Sequence, residues 1–293
     1  MSQKIIKSLE SVGHVLTDEN PDVHFNFNQP QYGRYSDGFD ILLFPWESTL
    51  PDDGWMKHLS VYDELWVPSE WQRSIVHGWG FTPYVYEHGV DPVWEPRYRV
   101  PVDKVIFFMQ GFEALRKGGR ETVFAFNEAF RHNDDVELWI KTKTQNMPRV
   151  FPKIRFFEDD MTEKELVNLY HQAHVMVAPS YGEGFGIPSR DALATGMPLI
   201  HTRGFAPYEN FIDDRLLIDS DLIESPWPKV HPGHMYQPNV DHLIEIMRHV
   251  YDNYQSYSES TFLQAPAVHR RYDWDLLTDN AFLALEKRLE YSK

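Results

Sequence analysis

From residue 104 to residue 202 the chain alternates short apolar runs with amphipathic stretches, and few folds accommodate that rhythm. Strands are expected at KVIFFM (104–109), VELWIK (136–141), KIRFF (153–157), VMVAPS (175–180) and PLIHT (198–202). Helices are expected between them at 120–131, 162–172 and 188–195. The strand segments are apolar almost throughout, as in strands buried on both faces, and helices between successive strands imply crossover connections. The expectation is a doubly wound α/β domain with a parallel sheet, whose ligands bind beyond the carboxyl ends of the strands. The first 95 residues carry a fainter version of the pattern. It comprises a helix at 3–12, strands at 24–28, 39–44 and 64–67, a helical stretch near 55–60, and Ser69 placed to cap the helix after it. Residues 87–101 are rich in Pro and Gly, lack periodicity and read as a linker.

Composition narrows the class. Hydrophobic residues make up 42% of the 293 positions, enough for a packed core. No apolar run approaches the length of a membrane span, and the N-terminus lacks a signal-peptide core, so a cytoplasmic protein is expected. With no cysteine, thiol nucleophiles and thiolate metal sites are excluded. The 14 histidines show no HExxH or comparable compact spacing, so no metal site is expected. P-loop and GxSxG elements are missing as well, which removes support for a P-loop ATPase or a serine hydrolase.

Charge is unevenly distributed. Residues 1–95 hold 5 Lys+Arg against 15 Asp+Glu, residues 96–157 hold 12 against 7, and residues 158–293 hold 11 against 22. A single basic island between acidic segments suits a small phosphorylated ligand better than a polyanion lying along a broad face.

The most informative string is Tyr181-Gly182-Glu183-Gly184-Phe185-Gly186-Ile187-Pro188, running on to Asp191 and Gly196. It reads as a strand, a glycine turn and a helix starting near Pro188. Gly184 and Gly186 permit close backbone approach, and the helix start offers amide groups to an anion. Glu183 reads as an exposed strand-end carboxylate that adds little to folding. With Asp191 it supplies acceptors for the hydroxyls of a sugar or ribose. Inside the basic island, Gly111 opens the loop QGFEALRKGG, in which Arg116 and Lys117 could neutralise a diphosphate.

Together, SYGEGFGIPSRDALATGMPLI (180–200), Glu87-His88-Gly89-Val90-Asp91 and FFMQGFEALRKGGRETVFAFNEAF (107–130) resemble the retaining GT-B glycosyltransferases of the family 4, or group 1, type. The resemblance implies an α/β fold with two Rossmann-like domains facing a cleft, the N-terminal one reduced. The boundaries would be 1–95 for the acceptor side, 96–271 for the donor domain, and 272–293 for a final helix returning to brace the first domain. It implies Glu183 near the donor sugar, Gly184, Phe185 and Gly186 beside the sugar and diphosphate, and Asp191 near the ribose, where the family usually carries Glu. Arg116 and Lys117 would stabilise the leaving diphosphate, Arg116 substituting for an arginine that relatives carry at the position of Phe112. Trp46 and Glu47 fall where the acceptor cleft would lie, and His24 and His88 are further candidates there. The expected donor is a nucleotide diphosphate sugar, with no metal cofactor, and the favoured acceptor is a glycan or small saccharide. Two alternatives stay open. One is a compact phage-type enzyme acting on hydroxymethylated bases in DNA, located in the host cytoplasm, for which Arg149, Lys153 and Arg155 are unassigned cations. The other is a noncatalytic sugar-nucleotide or glycan-binding protein.

Overall fold

Two sheets, each entirely parallel, organise the computed structural model, which describes residues 2–17, 21–101, 103–144, 146–147 and 152–291. The first contains β1 (Val23–Phe27), β2 (Phe39–Leu43), β3 (Glu64–Val67) and β4 (Tyr84–Val85), in that spatial order. Helices α1 (Ser2–Ser11), α2 (Trp55–Leu59) and α3 (Glu70–Gly78) accompany it. Ile41, Leu42 and Leu43 of β2 are fully buried, because both faces of this strand are covered. The side chain of Ser69 accepts a hydrogen bond from the Gln72 amide at 3.2 Å and caps α3, as its sequence position predicts.

The second sheet contains β5 (Val105–Gln110), β6 (Val136–Lys141), β7 (Ile154–Phe157), β8 (Val175–Ala178), β9 (Leu199–Thr202) and β10 (Leu217–Ile218). Its spatial order is β10-β9-β8-β5-β6-β7. The connecting helices are α4 (Gly119–Ala129), α5 (Glu163–Gln172) and α6 (Ile187–Ala194). Thr162 and Glu165 form a reciprocal capping box at the start of α5. The strand order reverses between β5 and β8, so the loops leaving these two neighbours diverge and open a crevice at the carboxyl edge. Expected and observed strands agree closely here. β8 ends at Ala178 instead of 180 because Pro179 has no amide to donate to the sheet.

Residues 203–271, to which sequence periodicity assigned nothing, hold more structure. A two-stranded antiparallel hairpin, β11 (Ser220–Glu224) and β12 (His234–Pro238), precedes α7 (Val240–Asp252) and α8 (Tyr254–Arg271). The hairpin loop reaches the N-terminal half. Thr49 N donates to His234 O at 3.3 Å, His234 N donates to the Thr49 hydroxyl at 2.7 Å, and Leu50 N donates to Pro232 O at 3.3 Å.

The last helix, α9 (Trp274–Tyr291), packs on the first sheet. Its Phe282 and Leu285 join Ile5, Leu9, Ile41 and Trp66 in one apolar cluster. Thr278 bonds the Tyr86 hydroxyl at 2.8 Å, and Arg288 donates twice to Glu64, at 2.7 and 2.8 Å. Among the described residues no helix is long and apolar enough to cross a membrane.

Candidate functional site

The loops leaving β5 and β8 are tied together before any side chain is considered. Gly111, with φ of +92°, turns the chain out of β5, and Gly118, with φ of +71°, returns it to α4. Both conformations favour glycine. A Cβ on Gly118 would collide with the Pro179 carbonyl, so the two loops touch there. Tyr181 N donates to Arg116 O at 2.7 Å, fixing the register between them.

On this frame four charged side chains converge. Arg116 donates through Nη1 to Gly182 O at 2.8 Å and to Glu183 Oε2 at 2.9 Å, and through Nη2 to Glu47 Oε1 at 2.8 Å. Lys117 Nζ donates to Glu183 Oε1 at 2.6 Å, and the Ser180 hydroxyl donates to the same oxygen at 2.8 Å. The cluster is buried, Glu183 being 5% exposed. Glu183 is therefore not the exposed carboxylate its strand-end position suggests. Its loop is roofed by the 45–47 segment, and the cations of the β5 loop lie against it.

The two carboxyls respond oppositely to burial. Burial alone would raise Glu183, but Lys117, Arg116 and the Ser180 hydroxyl together hold it well below the ordinary carboxylate range. At Glu47 burial outweighs the attraction of Arg116 and the carboxyl rises above its ordinary value. Arg116 is raised, the carboxylates of Glu183 and then Glu47 overcoming the cost of burial. Burial draws Lys117 down, against the pull of Glu183.

The remaining candidates divide into those near this cluster and those apart from it. Trp46 is buried, its ring 4.4 Å from that of Trp55 and 5.5 Å from that of His231, with its indole N–H donated to Leu50 O at 2.7 Å. The close approach read from Gly184 is met by protein: a Cβ there would lie 2.9 Å from Pro45 Cβ and 3.0 Å from Trp46 N. Gly182 abuts the Glu47 carbonyl in the same way. Gly186, with φ of +86°, turns the chain into α6 and accepts the Tyr208 hydroxyl at 2.9 Å through its carbonyl. Phe185 points inward, packed among the rings of His88, Tyr208 and Tyr272.

Asp191 stands apart from the four charges. Its Oδ1 accepts Arg190 Nε at 3.0 Å and Nη2 at 2.5 Å. Arg190 also donates to the carbonyls of His88, at 2.7 Å, and Gly89. The pair pins α6 to the 88–89 segment, and burial raises Asp191 above its ordinary value despite Arg190. His88 is buried between the rings of Phe27 and Phe185, which pushes its imidazole down to about 3 and leaves it neutral. His24 lies at the amino end of β1, bonded to Asp40 at 2.7 Å, at the opposite edge of the sheet from the Pro45–Glu47 segment. Arg149 lies outside the described residues. Lys153 is engaged with the carbonyls of Phe130 and Asn133, and Arg155 stacks over Trp139 and Phe157.

Two participants escaped the sequence reading. Ser180 is an ordinary serine at a strand end, with no signal beyond its neighbours. His231 belongs to the loop of the β11–β12 hairpin and lies 3.8 Å from Glu47 Oε2. Its only flag is the Trp, His and Pro density of SPWPKVHPG (225–233). Among the described residues no three of His, Asp, Glu or Cys converge in a way that would hold a metal. The groups suited to an anionic ligand are Arg116 and Lys117.

Residues 103–224 match the profile of the family "Glycosyl transferases group 1". Over 104 residues the chain is 31% identical to the serotype-specific mannosyltransferase WbdA of Escherichia coli, a match covering 32% of this chain and 13% of that protein. The whole fold resembles sucrose-phosphate synthase from Thermosynechococcus elongatus, with TM-score 0.68 and 13% identity over 94% of this chain and 75% of that one. A glycosyltransferase from Rickettsia africae gives TM-score 0.68 and 13% identity over 99% and 82%. The α,α-trehalose 6-phosphate synthase of Burkholderia multivorans gives 0.67 and 11% over 99% and 74%. Residues 103–224 thus resemble the group 1 glycosyltransferases, and along nearly its whole length the chain has the GT-B fold of these structures.

Proposed function

We propose that the protein transfers a sugar from a nucleotide diphosphate sugar to a hydroxyl of a saccharide, with retention of anomeric configuration. The observation that carries this reading is the position of Arg116, Lys117 and Glu183, two cations and a carboxylate at the point where the strand order of the second sheet reverses. In the reaction the bond from the anomeric carbon to the diphosphate oxygen breaks, and the acceptor oxygen bonds to that carbon on the same face. The acceptor proton passes to the departing phosphate oxygen. Arg116 and Lys117 neutralise the charge that accumulates on the diphosphate, and the ionised Glu183 faces the positive charge that develops on the sugar. Burial strengthens both effects, since little water screens them.

The test is a panel of UDP-, GDP- and ADP-sugars, mannosyl donors included because the curated relative is named a mannosyltransferase. A ligand that binds only the folded chain raises its melting temperature. The expected outcome is selective stabilisation by one nucleotide class, followed by sugar transfer to a saccharide. Stabilisation by none of the panel, with no transfer, would remove the reading.

A further inference from the structure

Glu47 and Glu183 both face Arg116, yet they are held very differently. Glu183 accepts from three side chains, Arg116, Lys117 and Ser180, all from its own half of the molecule. Among the described residues Glu47 accepts from Arg116 alone at hydrogen-bond distance, and it comes from the segment that follows β2 in the other sheet. The backbone of that segment is fixed. Trp46 N donates to Gln72 Oε1 at 3.0 Å, and the Glu47 carbonyl abuts Gly182. The Glu47 side chain thus has one hydrogen bond to exchange. Burial already works against its ionised form more than against that of Glu183. Beside it, 3.8 Å from Oε2, the Nδ1 of His231 has no hydrogen-bond partner among the described residues. Buried polar atoms are seldom left so, and a ligand rich in hydroxyls would satisfy it.

Resting on the proposed function, we infer that Glu47 stands in for the donor diphosphate on Arg116 and, once displaced by it, accepts the hydrogen bond of the acceptor hydroxyl. The exchange is one of like for like. Nη2 of Arg116 passes from carboxylate to phosphate without losing an anionic partner, while Nη1 stays on Gly182 and Glu183. The carboxylate released lies beside His231, and it is then unpaired and buried, which favours a hydroxyl donor. Donor binding thus completes the acceptor site, and the order of binding is donor first.

The experiment is calorimetric titration of UDP, GDP, ADP and inorganic pyrophosphate into the wild-type chain and the variants Glu47→Gln, Glu47→Asp and Thr49→Ala. Removing the competing carboxylate should tighten binding of whichever of these the wild type takes by about tenfold. Glu47→Asp, which reaches less far toward Arg116, should tighten it less and serves if the Gln variant folds poorly. Thr49→Ala breaks the bond to His234 N but keeps Glu47, so affinity should not change. In transfer assays with methyl glycosides, Glu47→Gln should lower KM for the donor and raise KM for the acceptor. Unchanged or weaker binding in Glu47→Gln, or equal tightening in Thr49→Ala, overturns the inference and leaves the proposed function standing. Binding of no nucleoside diphosphate by the wild type or by Glu47→Gln would instead overturn the function itself.

Discussion

Replacing Glu183 by Gln preserves shape and removes one charge from the centre of the cluster. In the native chain this carboxylate accepts Lys117 at 2.6 Å, Ser180 at 2.8 Å and Arg116 at 2.9 Å, with almost no exposure. Breaking a buried ion pair by removing one partner costs about 3–5 kcal/mol, because the other charge stays buried without compensation. Here Arg116 keeps Glu47 and the Gly182 carbonyl, and the amide oxygen of Gln retains one of the three bonds. The lower end, about 3 kcal/mol, is therefore expected, and a fall of roughly 5 °C in melting temperature for a chain of this size. The pH dependence supplies a second signature. A carboxylate whose pKa is lowered on folding contributes stability above its unfolded value, near 4.5, and loses it as pH falls through the folded value. The gap between wild type and variant should be complete at pH 7 and should narrow progressively below about pH 4.5. Circular-dichroism melts and urea midpoints from pH 7 down to about pH 3 measure both effects. A gap below about 1 kcal/mol at pH 7, or one that does not narrow in acid, would refute the claim that the cluster holds Glu183 ionised.

Other perturbations probe separate parts of the same argument. Glu47→Gln should give the opposite slope. A carboxyl raised on folding penalises the fold above its folded value and is relieved as pH falls, so wild type should gain on this variant in acid, read from the same melts. Arg116→Ala with Lys117→Ala should weaken nucleoside diphosphate binding by roughly 2–5 kcal/mol, measured by calorimetry below the melting transition. Gly186→Ala should destabilise by roughly 2–4 kcal/mol, since φ is +86° and the added Cβ would strike the Tyr208 hydroxyl. Urea denaturation gives that value. Incubation with labelled nucleotide sugars should yield transfer to saccharides, not to hydroxymethylated DNA, because residues 1–95 hold only 5 Lys+Arg against 15 Asp+Glu. Scintillation counting of each recovered acceptor decides it.

How much of this was legible in the sequence depends on the range of the interaction. Strands such as Val105–Gln110 and Val136–Lys141 declare themselves, since burial on both faces demands an uninterrupted apolar run. The glycine string from 182 to 186 was legible as a place of close approach, yet sequence could not say what approaches. In the structure it is the backbone of Pro45, Trp46 and Glu47 and the Tyr208 hydroxyl. Asp191 follows Glu183 by eight positions and was paired with it by family pattern. Its neighbour Arg190 reaches across to His88 and Gly89 and draws the carboxylate into a structural clamp. The hairpin at 220–238 stayed hidden because SDLIE and HMYQP lack apolar alternation, and α8 because Pro266 and a run of polar residues blur its period. His231 was hidden with the hairpin that carries it.

The charge pattern shows why local and overall electrostatics must be kept apart in this molecule. The chain carries a net charge of −16, and its first 95 residues hold three times as many acids as bases. A field of that sign repels an anionic donor at long range. Within the cluster, however, Arg116 and Lys117 face Glu183 and Glu47, two positive charges against two negative ones. A diphosphate therefore meets neither a free basic patch nor a simple barrier, but cations whose anionic partners must rearrange. In the proposed exchange Glu183, held by three donors, stays and Glu47, held by one, leaves. Because Glu47 follows β2 of the first sheet and both cations follow β5 of the second, the proposed exchange would couple donor binding to the contact between the two halves. On that proposal, selection of the donor and preparation of the acceptor side would be a single event at Arg116.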